Sequence, residues 1–126
     1  MSPLGKAVYR ILRRQAALSE PRITYAELAA QLRDMSEKFE HIYHRSQELY
    51  AALGEVGKVC RHLELPSLPA LVVRANTRRP GAAYFEGGCT GMVYRGEKIS
   101  AWRDEVAAVK EARYPARVAG SLAEKT

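Results

Sequence analysis

Ile23-Thr24-Tyr25-Ala26-Glu27-Leu28-Ala29-Ala30-Gln31-Leu32 is the stretch that orders the rest of the chain. Thr24 has the side chain of a helix N-cap, because its hydroxyl can accept an orphan amide proton of the first turn. Glu27 stands three residues on and can reach back to the Thr24 amide, completing a capping box. Ile23 and Leu28 fall at the two hydrophobic-staple positions. Three independent rules therefore predict a helix that starts at Thr24. The cap is scaffold and by itself assigns no chemistry.

Upstream, Leu4, Ala7, Val8, Ile11 and Leu12 recur at helical spacing and predict a helix over 4–18. Lys6, Arg10, Arg13 and Arg14 fall on its other side, as a solvated face or a phosphate-facing stripe. Ser19 to Arg22 is a turn. Downstream, residues 34–45 are undecided, with Phe39, Ile42 and Tyr43 able to form one face of a short helix. A third helix is expected from Gln47 to Leu63, capped by Ser46, with Leu49, Leu53, Val56, Cys60 and Leu63 as its core stripe. Cys60 in that stripe is a buried small hydrophobe. The opposite face carries Gln47, Ala51, Gly54, Lys58 and Arg61. Glycine inside a helix costs about 1 kcal/mol relative to alanine, so Gly54 and Gly57 need a close approach, by another helix or by an external partner.

Leu65 to Pro69 ends the helical region. Ala70 to Val73 is a short apolar run expected as a buried strand. Arg74 to Gly81 is a loop in which Pro80-Gly81 suits the centre of a type II turn. Ala82 to Phe85 is the expected return strand, and Met92 to Tyr94 a third. Ser100 is the expected cap of a last helix with Trp102, Val106 and Val109 on its buried side. The expected fold is thus α+β and winged-helix-like: three N-terminal helices, a two- or three-stranded antiparallel hairpin sheet and a C-terminal helix. Residues 1–113 form one domain, and 114–126 a frayed tail.

The bulk numbers are compatible with this. At 126 residues, 47% hydrophobic and 27% charged, the chain can build one core. No apolar run approaches the ~20 residues of a membrane span. The N-terminus lacks a signal-peptide core, so a cytoplasmic protein is expected. Cys60 and Cys89 carry no disulfide pattern. Net charge is +6, which permits nucleic acid or an acidic protein as partner. Residues 1–33 hold six Lys/Arg against two acids, and residues 65–99 five against two. Residues 34–64 hold four against six, so the third helix is not basic.

From Val8 to Phe85 the chain resembles the DNA-binding domain of alkylguanine DNA alkyltransferases and their non-enzymatic alkyltransferase-like relatives. The resemblance lies in Ala7 to Leu12, in Ile23 to Ala29, in Leu49 to Val59, and in Pro69 to Val73 followed by Gly81 to Tyr84. It implies a winged helix that binds DNA. The family's reactive Pro-Cys-His-Arg stretch is Pro69-Ala70-Leu71-Val72 here, so no alkyl-acceptor chemistry follows. The stretch between the second and third helices is also longer than a standard helix-turn-helix turn. The chain is similar, too, to small bacterial stand-alone proteins, a likeness that carries no activity with it.

Catalytic signatures are absent. Cys89 sits in Gly87-Gly88-Cys89-Thr90-Gly91 without a nucleophile motif, although His41, His44 or His62 could serve a thiol as base. His41 and His44, with His62 or Cys60, match no zinc pattern. Glu48 and Glu55 are read as solvated helix residues. A basic cluster is better supported: Arg74, Arg78 and Arg79 around the turn, and Arg45 ahead of the third helix. Arginine suits phosphate because its planar fork pairs with two oxygens. Tyr25, Tyr43, Tyr84 and Phe85 could add stacking. The expected function is non-catalytic binding of nucleic acid, DNA in preference to RNA, without metal or cofactor. Its expected contacts are Arg45, Ser46, Gln47, Lys58, Arg61, Arg74, Arg78 and Arg79. Two alternatives stand beside it. One is a protein-interaction factor of phage or mobile-element type using Ala51, Gly54 and Lys58. The other is a nucleotide-sized ligand held by arginines and tyrosines.

Overall fold

The first helix starts at Ser2, whose Oγ accepts from the Gly5 amide at 3.0 Å, with Pro3 fixing φ in the first turn. In the computed structural model, which describes residues 1–81 and 98–116, this helix α1 spans Pro3–Gln15. β1 (Ile23–Thr24) leads into α2 (Tyr25–Met35), and a 3-10 turn (Glu37–Phe39) follows. Next come α3 (Gln47–His62), a second 3-10 turn (Leu68–Leu71), β2 (Val72–Val73) and α4 (Lys98–Glu111). The chain is therefore α+β and mostly helical. Leu4, Val8, Ile11 and Leu12 of α1 close over Leu49, Leu53, Val56 and Cys60 of α3, and Leu28 and Leu32 of α2 complete the core. A Cβ at Gly5 would lie 2.5 Å from a Glu55 carboxylate oxygen, so the glycine leaves room for that carboxylate beside α1. That carboxylate accepts from the Ser2 amide (2.8 Å) and hydroxyl (2.7 Å), so the half-buried Glu55 ties the start of α1 to α3.

The capping box is formed as expected. Thr24 Oγ1 accepts from the Glu27 amide and a Glu27 carboxylate oxygen accepts from the Thr24 amide, both at 3.0 Å. Ser46 occupies the N-cap position of α3 but makes no cap bond; its hydroxyl accepts instead from Tyr43 N at 2.9 Å. The segment expected as a strand over Ala70 to Val73 is extended only at Val72 and Val73. Pro69 constrains φ, and Ala70 N donates to Ser67 O at 3.1 Å, so the chain coils first.

Among the described residues the sheet corrects the expected hairpin. β1 and β2 pair in parallel, with Ile23 opposite Val72 and Thr24 opposite Val73. The run from α2 through α3 is the long crossover that a parallel pair requires. This pairing does not make the antiparallel wing of a winged helix. The expected strands over 82–85 and 92–94 lie outside the described residues, as does Cys89. The turn is also shifted: Arg74 N donates to Arg79 O (2.9 Å) and Arg78 N to Arg74 O (2.8 Å), while Pro80 and Gly81 are buried. α4 begins at Lys98, ahead of the expected cap at Ser100. Trp102 donates through Nε1 to Ala70 O at 2.8 Å and fixes α4 to the segment before β2. Tyr114 and Pro115, read from sequence as part of the tail, are tied to the body. Tyr114 is buried and donates to Pro66 O, Tyr9 donates to Pro115 O, both at 2.6 Å, and Arg13 donates to Tyr114 O at 2.8 Å.

Candidate phosphate-binding cleft

The parallel ladder places two chain segments side by side. Because Thr24 and Val73 are partners, Tyr25 and Arg74 leave the sheet at the same end. A cleft of about 710 Å³ opens there. One wall is the start of α2, with Thr24, Tyr25 and Ala26. A second is the loop after β2, with Arg74, Ala75 and Asn76, closed off by Gly81. The third is the turn into α3, with His44 and Arg45, and Tyr50 from the helix itself. That turn is held by a reciprocal pair: Tyr43 N donates to Ser46 Oγ, and Ser46 N donates to Tyr43 O at 3.0 Å.

Two tyrosines lock the walls together. Tyr25 Oη accepts from Gly81 N at 3.2 Å, joining α2 to the end of the Arg74 loop. Tyr50 donates to His44 O at 3.2 Å, joining α3 to the turn before it. The two rings meet edge to face, centroids 5.7 Å apart at 65°. Gly81 has little room for a side chain, since a Cβ would lie 3.2 Å from Tyr25 Oη and 3.5 Å from Arg74 Nε.

The lining holds Arg45, Arg74 and His44 and no carboxylate. Among the described residues the ion pair of Arg22 with Glu20 (2.7 Å) and the contact of His41 with Glu48 (3.0 Å) involve neither cleft arginine. Arg78 behaves differently. Glu20 is held down to about 2, first by its hydrogen bond from Arg22 and in smaller part by the Arg78 charge. Glu27 is lowered as well, first by the Thr24 amide and in smaller part by Arg78. Among the described residues, neither Arg45 nor Arg74 forms an ion pair with a carboxylate.

Of the residues singled out by sequence, Arg45 and Arg74 come together in the cleft. Arg78 and Arg79 are exposed on the same loop but do not line it. Ser46 is buried and structural. Gln47 is exposed at the first position of α3. Lys58 and Arg61 are exposed near the other end of that helix, about 16 Å or more along the axis from Gln47. On the alternative partner face, Ala51 and Lys58 are exposed and Gly54 is half-buried, while Gly57 is buried in the packed face. Tyr50 and Asn76 carry no signal in the sequence, and His44 reads there only as a candidate base or metal ligand. His44 and Tyr50 are distant from Arg74 in sequence and meet it only in the fold, while Asn76 shares its loop without any local signal that marks it. Among the described residues no cluster of three His, Cys, Asp or Glu could hold a metal ion. Cys60 is fully buried, and burial pushes its thiol up to about 11, so it is not a thiolate at neutral pH. No described helix is long and apolar enough to cross a membrane.

Comparison of the chain with protein-family models, with curated proteins and with solved structures finds no match.

Proposed function

We propose that this chain is a non-catalytic nucleic-acid-binding protein, with DNA as the preferred ligand. Its contact face consists of the cleft arginines Arg45 and Arg74 and the neighbouring loop cation Arg79. The observation that carries this is the cleft lining: arginines from two separate segments, Arg45 and Arg74, line it together with two tyrosines, and no acid is among the lining residues. Phosphate is the anion that a pair of arginine forks fits best. The net charge of +6 adds a general attraction to polyanions. Lys58 and Arg61 stand apart from this face, so the far half of α3 is not its reading element. The proposed face needs no antiparallel wing.

The test is equilibrium binding of labelled duplex and single-stranded oligonucleotides in about 150 mM salt, where weak non-specific attraction is screened. Measurable affinity with a log–log salt slope of about −2 to −3 is expected for three phosphate contacts. Absence of binding to every duplex and strand at that salt rejects the proposal.

A further inference from the structure

Resting on the nucleic-acid reading, we propose that the cleft is a site for a nucleoside-linked terminal phosphate. The monoester is held between Arg45 and Arg74, and the base lies against the Tyr25–Tyr50 pair. A strand crossing the surface needs only exposed cations such as Arg79. It does not need a concavity of about 710 Å³, a size that falls among small-ligand sites. A concavity of that size has room for a group larger than a passing backbone phosphate.

Charge and oxygen count then select the kind of phosphate. An internal diester carries one negative charge and leaves two unesterified oxygens. A terminal monoester carries close to two charges at neutral pH and presents three acceptor oxygens. Two guanidinium forks, one from the turn before α3 and one from the loop after β2, match the second group better than the first. Neither fork is engaged by a carboxylate among the described residues. The adjoining wall suits a base. The tyrosine hydroxyls are bonded to Gly81 N and His44 O, which anchors both rings within the lining. The same chemistry is offered by a free nucleoside monophosphate and by the phosphorylated end of a strand.

The experiment compares, at about 150 mM salt, one short single strand with a 5′-phosphate, the same strand with a 5′-hydroxyl, the same strand with a 3′-phosphate, and a panel of free nucleoside monophosphates. Each is measured on the wild-type chain and on Arg45→Ala, Arg74→Ala and Arg74→Lys, with thermal unfolding as the check on folding. Both arginines are exposed, so the variants are expected to fold. The expected result is that a terminal phosphate tightens binding about tenfold or more, the change one or two charge-assisted hydrogen bonds give. Either alanine variant abolishes this gain, and Arg74→Lys keeps only part of it. Competition by a free monophosphate assigns the site to free nucleotides. A gain confined to oligonucleotides assigns it to strand ends. If strands bind equally with and without an end phosphate and no free monophosphate binds, the inference is overturned while the nucleic-acid reading stands. A gain that survives in both alanine variants also overturns it. No binding by any probe overturns both.

Discussion

Tyr25 does two jobs with one side chain: its ring lines the cleft and its hydroxyl accepts the Gly81 amide. Replacing it with phenylalanine keeps the ring and leaves a buried amide without that acceptor. The expected cost is about 1–3 kcal/mol in urea denaturation, with weaker oligonucleotide binding as the Arg74 loop loosens. Arg78 offers the opposite case. It holds φ at +57°, a left-handed conformation that costs a residue with a Cβ about 1–2 kcal/mol. Arg78→Gly should therefore leave stability unchanged or raise it by up to about 1 kcal/mol, because glycine's greater freedom in the unfolded chain offsets part of the relief. Its effect on the salt slope of binding should be smaller than that of Arg74→Ala, since Arg78 does not line the cleft. The arginines were legible in the sequence as a basic cluster. Which of them face a cavity was not, because that depends on a ladder of two residue pairs.

α2 and α3 show how much a local signal can carry. The box at Thr24 and Glu27 formed as written, since all its partners lie within three residues. Glu27 is held below its ordinary 4.5 in the folded chain. A depressed carboxyl stabilises above the unfolded value and loses that contribution as pH falls through the folded one. Glu27→Ala should thus be less stable than wild type at neutral pH, with the difference shrinking steadily below pH 4.5 in denaturation curves. The end of α3 was not foreseen. Glu64 sits at φ +58°, Glu64 N donates to Arg61 O and Leu65 N to Cys60 O, which is a Schellman closure built on a non-glycine residue. Glu64→Gly should raise the midpoint of thermal unfolding, by roughly 1 kcal/mol of stability. The parallel pairing of β2 with β1 was illegible for a different reason. Apolar periodicity marks Val72 and Val73 as extended but does not say which strand they pair with, or in which direction.

Assembly of the folded body depends on side chains that donate to distant carbonyls. Trp102 reaches Ala70, Tyr114 reaches Pro66 and Tyr9 reaches Pro115, so the C-terminal helix and the residues after it brace the segment that leads into β2 and the cleft. Tyr114→Ala should destabilise the protein by about 3 kcal/mol or more in urea denaturation, the cost of removing a buried aromatic. The cleft and the far end of α3 are rival places for a polyanion, and one comparison separates them. Salt titration of oligonucleotide binding is run for the wild type, for Arg45→Ala/Arg74→Ala and for Lys58→Ala/Arg61→Ala. Placing the contacts in the cleft predicts that the first pair lowers the slope by about 1.4–1.8 units and that the second leaves it unchanged. A slope that falls with Lys58 and Arg61 and ignores Arg45 and Arg74 would contradict it.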